Sequence, residues 1–368
     1  MHLAKLGFEE ITVVEQGGVG GGSSGLSVGN ATTLYDERLD VEMRVQSLQF
    51  LREIQDEIGF KWTGNIRMTT DDQNALALER NVELQSEYGI RAQLVLPEDL
   101  KVLVPDMACD DIVAGIYSKD AGQIDGHLLC NAYLKRAQAG GATLRTQTRV
   151  LGLDAGTRCR YLLSTSTGGV QCDVVVNAAG AWAQKVGEIL GGPVQIIAQR
   201  HEVFEVRLQR ALSYVLPQVG ESYTKRNATT GSGLYFQQER ASSLIAGFHT
   251  GLVPGSPSVD PDDYSTIATG ADLEELAGAL YNRLPGFGDA GLKPGWAGLY
   301  PMSPDERPQI GHIPRTEGLV AACGVGGFGL HVSPVVGRLA AECVLWGEPR
   351  SLPQAAELGP ARFAKDSE

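Results

Sequence analysis

The sequence predicts an α/β protein: a nucleotide-binding domain of strands and helices, interrupted by a second, α+β domain built on an antiparallel sheet. Three observations predict it. The apolar strand Ile11–Val14 ends in Glu15, where a dinucleotide-binding βαβ unit places the carboxylate that hydrogen-bonds a ribose. Two later strands, around Val174–Val176 and Leu319–Cys323, run into small residues and glycines before helices, which lets a ligand come against the backbone. The intervening segments differ in character from these, as when one domain interrupts another.

Composition narrows the function classes. With 368 residues, 43% of them apolar, the chain can bury a sizeable core and is long enough for two domains. A net charge of −13, with basic residues scattered, argues against a nucleic-acid surface. No run of apolar residues is long enough to predict a membrane span, and no export signal opens the sequence. Cys109, Cys130, Cys159, Cys172, Cys323 and Cys343 show no C-x-x-C spacing and lie on otherwise apolar segments, so buried free thiols and a reducing cytoplasm are expected. No metal site is predicted.

Along the chain, "HLAKLG" reads as the end of a helix and Arg38–Ile58 as a core-facing helix closed by Gly59, with Val41, Val45, Leu48, Ile54 and Ile58 on one face. "GNIRMTT" is a strand and "QNALALERNVELQSEYG" a charged helix. Asp125 caps a helix whose inner face is Leu128, Leu129, Ala132 and Tyr133 and whose end is Gly140. "ATLRTQTRVLGLD" reads as one strand, and Gly168-Gly169 as the two-residue turn of a hairpin. The second arm, Cys172–Asn177, has the continuous apolar run of a strand buried on both faces. Its end, "NAAGAWA", leads into a helix at Trp182–Leu190 whose free N–H groups suit anions. "QRHEVFEVRL", "SGLYFQQE" and "SSLIAGFHT" are strands of the second domain, and "DLEELAGALYNRLPG" puts Leu273, Leu276, Leu280 and Leu284 on one helix face. Pro334 opens the helix that follows the glycines at 324–329.

The ordered set "ITVVEQ", "GGGSSGLSVGN", "VVVNAAGAWA", "AGLYPMSPDERPQIG" and "GVGGFGLHVSPVVG" resembles the FAD-dependent amine and amino-acid oxidoreductases, which include D-amino-acid oxidase, glycine oxidase, sarcosine oxidase and dimethylglycine dehydrogenase. The resemblance spans nearly the whole chain. It implies a Rossmann-like FAD-binding domain at 1–64, 120–194 and 291–368, and a substrate domain at 65–119 and 195–290. It implies that Glu15 contacts the adenosine ribose, that Ser23 and Ser24 lie at the diphosphate and ribose, and that Val150 presents backbone to adenine. Ala179, Gly180 and Trp182 would line the dinucleotide, and Gly298, Leu299, Gly327, Phe328 and Gly329 would approach the flavin. Gln16, Asn30, Gly324, Gly326 and Leu330 complete the implied cofactor contacts. Where relatives attach FAD through a His or a Cys this chain has Leu26 and Gly298, so FAD is expected to be non-covalent.

In that likeness a strand and a G-x-G-x-x-G turn precede the helix that "HLAKLG" ends, and a longer coding sequence upstream of Met1 is the expectation. Gly20, Gly22 and Gly25 satisfy the same spacing after a strand, yet "LSVGNATTLYDE" lacks the apolar face of the helix that should follow.

Glycine oxidase and its kin hold the substrate carboxylate with an Arg in the strand matching "AGLYP", a bidentate role that Tyr300 cannot take. His201 in "AQRHEVFEV" and Tyr235 in "SGLYFQQE" resemble the His and Tyr that face the flavin in dimethylglycine-oxidising relatives. Oxidation of a C–N bond needs a neutral amine, and a His of near-neutral pKa can take its proton. Arg200, Arg226, His249, Tyr300 and His331 are the further candidates for substrate contact. The resemblance thus implies an FAD-dependent enzyme that oxidises a small N-methylated or secondary amino acid by hydride transfer to flavin N5, with O2 or another electron acceptor. A D-amino-acid oxidase or deaminating dehydrogenase, and a non-catalytic flavoprotein or subunit of a hetero-oligomer, are the alternatives.

Overall fold

The computed structural model describes residues 1–221, 233–249, 251–252, 257–270 and 273–364. Its largest element is an eight-stranded sheet, with strands in the order Gly291–Met302, Ile197–Arg207, Ser243–His249, Gly233–Arg240, Gln218–Glu221, Asn65–Thr69, Ala114–Ser118 and Ala92–Val95. Neighbours are antiparallel except Gln218–Glu221 and Asn65–Thr69, which run parallel. The sheet is therefore mixed rather than purely antiparallel. The parallel pair joins two segments far apart in sequence, as a parallel pairing requires. Gly291–Met302, grouped by sequence with the nucleotide-binding segments, bonds into this sheet as an edge strand.

Strand alternation gives the sheet two different faces. Ile66, Met68, Val219, Leu234, Phe236, Leu244, Ala246, Phe204 and Val206 form one continuous apolar core, closed by Leu276, Leu280 and Leu284 at the helix Leu273–Arg283. Each large side chain buried there contributes about 1.5–3 kcal/mol. The alternate residues, Asn65, Arg67, Gln218, Tyr235 and Gln237, point to the other face and are also buried. That second face is covered by the residue 20–30 segment: Gln237 Nε2 donates to Val28 O at 2.7 Å, and Trp296 Nε1 donates to Leu26 O at 2.6 Å.

The nucleotide-binding segments form smaller sheets. Val175–Asn177 pairs in parallel with Leu319–Cys323, which pairs antiparallel with Gln309–His312. Thr12–Val14 pairs in parallel with Thr143–Arg145. Among the described residues, Thr12–Val14 and Val175–Asn177 each have a strand on one edge only. This explains why Val174, expected to be buried, is 36% exposed. Arg38–Glu53 and Gly329–Trp346 pack against each other through Met43, Val332, Val335, Val336 and Leu339. The 126–139 helix is capped as expected by Asp125, which accepts from Leu128 N–H at 2.9 Å, but Leu128 itself faces solvent. "ATLRTQTRVLGLD" breaks into Thr143–Arg145 and Val150–Ala155 around Gln147, whose φ is +51°. Gly168 and Gly169 lie in the strand Gly168–Cys172, and the hairpin turn before them is Ser166-Thr167. All six cysteines are free, three of them fully buried.

Pro334 lies inside the helix Gly329–Trp346 rather than opening it. Proline lacks the N–H that would bond the carbonyl of Leu330. The hydroxyl of Ser333 replaces it, donating to Leu330 O at 2.8 Å, and Tyr133 Oη lies 2.8 Å from the same hydroxyl. This helix is long and apolar enough by composition to cross a membrane. Here it is a core helix, with His331 and Glu342 buried beside its apolar residues. Ser333→Ala leaves a buried carbonyl and a buried phenol short of a partner, and should lower the unfolding free energy by about 1–3 kcal/mol in urea titration. A change below about 0.5 kcal/mol would show that the proline is accommodated some other way.

Candidate active site

The polar face of the eight-stranded sheet is the candidate site. Arg67, Gly220, Tyr235 and Gly247 are successive cross-strand partners on four adjacent strands. His249 lies two residues beyond Gly247 and so points the same way. Further along, His201 pairs with Gly298, which puts Tyr300 on the same side. The rings of His201 and Tyr300 stack at 3.8 Å between centroids, and His249 meets both Tyr300 and Phe328 edge-on, at 6.4 and 5.7 Å. Glycines open this face. A Cβ on Gly247 would lie 2.8 Å from Tyr235 Oη, and one on Gly220 would lie 2.9 Å from Arg67 Nη1.

Desolvation sets the protonation states. Burial lowers His201 to about 4. It lowers His249 to about 3, helped by the nearby charges of His201 and Arg67. Both imidazoles are therefore neutral at neutral pH, and the near-neutral titration expected of His201 does not occur. Burial raises Tyr300 to about 12 and Tyr235 still further, so both phenols remain protonated donors. Nε2 of His201 is buried with no hydrogen-bond partner among the described residues. A buried polar atom without a partner costs free energy that a ligand can recover.

The strands Val175–Asn177 and Leu319–Cys323 are parallel neighbours, so their carboxyl ends and the turns 178–180 and 324–327 lie side by side. Gly180, Gly324 and Gly326 have φ of +54°, +71° and +56°. A Cβ on Gly327 would meet the Tyr300 ring at 2.5 Å, and Phe328 contacts Tyr35 edge-on at 5.2 Å. Trp182 lies 3.8 Å from the position of a Cβ on Gly22, and its Nε1 donates to Asp262 at 2.9 Å. This joins the 17–25 loop to the Ala179–Trp182 turn. Glu15 accepts from Gly17 N–H at 2.6 Å, and Ser23 donates to Leu299 O at 2.6 Å. Ser24 hydrogen-bonds Cys130. Asn30 Oδ1 is buried without a partner among the described residues. The glycine-lined turns, the 18-residue helix Gly329–Trp346 that begins at one of them, and the acid at the end of Thr12–Val14 suit FAD. Val150 and Leu330 are drawn into hydrophobic clusters; Val150 lies in the strand Val150–Ala155, in register with Thr165, and Leu330 O accepts from the Ser333 hydroxyl. Gln16 is half-buried beside Glu15.

Gly20 and Gly25 do not form a phosphate turn of the usual kind. A Cβ on Gly25 would lie 2.2 Å from Gly20 O, and the ring of His127 crowds both residues. Only a single helical turn, Ser23–Leu26, follows.

Two predicted contacts fall away from the substrate face. Arg200 points to the opposite side of its strand, where it donates to Ser265 O at 3.0 Å, to Ile267 O at 2.8 Å and to Glu202 at 2.5 Å. His331 accepts from Thr32 N–H through Nδ1 at 3.2 Å and bonds Arg44 O through Nε2 at 3.1 Å, so both nitrogens are used. Arg226 lies outside the described residues. Sequence reasoning missed Tyr35, Arg44, Arg67 and Gln237. Arg44 is buried, stacks 3.4 Å over the Tyr35 ring and pairs with Asp40. The signal for Arg67 and Gln237 was available in the alternation of "NIRMT" and "GLYFQQ".

Burial lowers His331 to about 3, with the Arg44 charge adding to the shift. At mildly acid pH the unfolded chain therefore binds a proton that the folded chain does not. This residue's stabilisation is complete above the unfolded value of 6.5 and is lost as pH falls below it. Between about pH 6.5 and pH 5 the wild type should lose about 1.5 kcal/mol more unfolding free energy than His331→Asn. Parallel losses in urea titrations of the two proteins would remove His331 from the acid response.

Comparison with known proteins agrees with this geometry. The DAO family description, "FAD dependent oxidoreductase", matches residues 1–343. Mouse (Mus musculus) mitochondrial sarcosine dehydrogenase is 25% identical over 95% of this chain and 38% of its own length. Human (Homo sapiens) mitochondrial dimethylglycine dehydrogenase is 25% identical over 99% and 42%. The chain thus spans about two-fifths of the length of these relatives. Among solved structures, L-proline dehydrogenase from P. horikoshii superposes with a TM-score of 0.85 at 25% identity, covering 98% of this chain and 92% of that one. Glycine oxidase from Geobacillus kaustophilus superposes at 0.80 and 21% identity, covering 99% and 95%, a likeness of fold. With the nucleotide-binding turns, the glycine-opened polar sheet face and the match to nearly the whole chain in agreement, the protein belongs to the DAO family of FAD-dependent oxidoreductases.

Proposed function

We propose that this chain oxidises the C–N bond of a small N-methylated or secondary amino acid, giving an imine that water hydrolyses to a carbonyl compound and an amine. The observation that carries this reading is the row of half-buried His201, Tyr300 and His249 and buried Tyr235 beside Phe328. FAD, when bound, supplies the two-electron acceptor. The chain's own residues bind the amine, fix its orientation and exclude water.

His201 stays neutral, and its Nε2 lone pair accepts the N–H of a secondary amine such as sarcosine; a tertiary amine such as dimethylglycine, which has no N–H as the free base, makes no such bond. The stacked Tyr300 ring fixes the imidazole plane. The same desolvation that strips His201 of its proton disfavours an ammonium group beside it, so the substrate enters as the free base with its proton left in water. The protonated phenols of Tyr235 and Tyr300 donate hydrogen bonds and cannot serve as bases at neutral pH. Tyr300 stands where glycine oxidase and its kin place an Arg, and a phenol cannot take that residue's bidentate role.

Anaerobic bleaching of the flavin-loaded chain by sarcosine, dimethylglycine, glycine and D-alanine tests the proposal. N-methylated substrates should bleach the flavin fastest. His201→Ala, which removes one hydrogen-bond acceptor from the amine, should slow reduction by about 10–100-fold and Tyr235→Phe by a smaller factor. Because His201 is lowered to about 4, the wild-type rate should show no His201 inflection near its ordinary value of 6.5. Unchanged rates in both variants would remove these residues from catalysis, and faster bleaching by D-alanine would favour a D-amino-acid oxidase.

A further inference from the structure

We infer that Glu306 is a positioning residue of this site: its carboxylate, together with the side chain of Gln199, clamps residues 251–252 just beyond His249 and so fixes the His249 imidazole against Tyr300 and Phe328. The inference rests on the amine-oxidation reading above only for the use the enzyme makes of a fixed His249.

The strand Ser243–His249 needs such a clamp because one of its two ladders stops short. It pairs with Ile197–Arg207 from Arg207 with Ser243 only as far as Phe204 with Ala246, and the register of Ile197–Arg207 shifts next to that point, between Val203 and Phe204. From Gly247 to His249 the strand stays in register on its other edge, with Tyr235, Leu234 and Gly233. His249 therefore sits where the backbone ladder beside His201 has ended. A functional side chain in such a place keeps its geometry only when side-chain hydrogen bonds replace the missing ladder.

Two such bonds meet just past His249. Gln199, the cross-strand partner of Tyr300, donates from Nε2 to Gly251 O at 3.2 Å. Glu306 accepts from Leu252 N–H through Oε1 at 2.6 Å, and the same oxygen lies 3.1 Å from the position of a Cβ on Gly251. Glu306 stands in the turn after Gly291–Met302, the strand that carries Tyr300, with its own N–H bonded to Ser303 O at 2.9 Å. The strand of His201 and the turn behind Tyr300 thus each send one side chain to the chain that carries His249. Glu306 does so from a φ of +60°, a conformation that suits glycine and in which a Cβ is strained. A glutamate held there, with its carboxylate on a backbone N–H beside the site, is strain kept for a local purpose. The His249 ring is what that purpose serves, since it must meet Tyr300 and Phe328 edge-on at 6.4 and 5.7 Å at once.

The test uses the FAD-loaded full chain with isotope-labelled histidine, read by NMR, with His249→Asn to identify the His249 signal among the six histidines. Glu306→Ala and Glu306→Gly should both displace the His249 signal while those of His2, His127 and His312 stay in place. Glu306→Gln, which keeps an acceptor oxygen at the same reach, should restore it. Glu306→Gly also relieves the backbone, so it should melt about 1–3 °C above Glu306→Ala. That difference separates positioning from mere stability, because the His249 signal should remain displaced in the glycine variant although its stability recovers. With sarcosine as substrate, kcat/KM should fall about 10-fold in both the alanine and glycine variants and return in Glu306→Gln. An unmoved His249 signal in Glu306→Ala and Glu306→Gly, or no restoration by Glu306→Gln, would overturn the assignment. If neither the alanine nor the glycine variant folds, Gln199→Ala, which removes the other half of the clamp, should displace the same signal, and an unmoved signal there overturns it. A displaced His249 with no flavin bleaching by any amine would support this inference while removing the amine-oxidation reading. An unmoved His249 with normal bleaching by sarcosine would do the reverse.

Discussion

Burial of both faces of the eight-stranded sheet is the constraint on which the rest of this structure depends. One face is an ordinary apolar core. The other carries Asn65, Arg67, Gln218, Tyr235 and Gln237 yet is removed from water just as fully. Polar groups placed there must find partners or lose free energy. Asn65 Nδ2 bonds Gln218, Thr32 Oγ1 bonds Asn65, and Gln237 reaches Val28 O across the boundary between the sheet and the 20–30 segment. Trp296 to Leu26 O and Ser23 to Leu299 O complete the seam. These bonds specify how the loop after Thr12–Val14 lies against the sheet, because an apolar face would have tolerated many placements and a polar one tolerates few.

The same burial sets the chemistry. Desolvation holds two imidazoles neutral and two phenols protonated in a space that also holds a permanent guanidinium. On the function proposed above, the site disfavours a cation and favours a neutral amine. Glycine placement makes this arrangement fit. Gly220 and Gly247 leave the lanes through which Arg67 and Tyr235 lie, Gly298 lets Leu26 of the covering segment come close, and Gly327 lets the Tyr300 ring come against the turn before the helix Gly329–Trp346.

Much of this was legible in the sequence because it rests on local pattern. The strands around Val14, Ile66, Tyr235 and Val320 follow from alternation and apolar runs, and the cap at Asp125 from its side chain. What escaped depended on partners distant in the chain. Val174 reads as buried because it stands in an apolar run, but its exposure depends on which strands lie beside Val175–Asn177. Pro334 reads as a helix start because proline lacks a donor, but Ser333 supplies the missing bond from within the helix. His331 and Arg200 carry functional groups that suit a substrate, and only the fold shows those groups already bonded elsewhere. Arg67 and Gln237 are the reverse case. Their side of the sheet follows from period two alone, but that this side is covered by the 20–30 segment follows only from contacts distant in the chain.

The low pKa of His201 changes what that residue can do. An imidazole at about 4 is too weak a base to deprotonate an alkylammonium in water, so general-base catalysis by His201 would fail on driving force alone. A buried, uncharged acceptor has another use. It rewards a neutral N–H and leaves an ammonium uncompensated, while the Arg67 charge, which also helps lower His249, acts against a second positive charge on the same face. On the proposed function, the ammonium of an amino acid meets an unfavourable environment beside His201. Losing the ammonium proton to solvent on entry resolves the conflict and leaves the nitrogen lone pair needed for oxidation. On that proposed function the activation of the amine would come from the electrostatics of the whole polar face, with His201 contributing mainly by directing the lone pair.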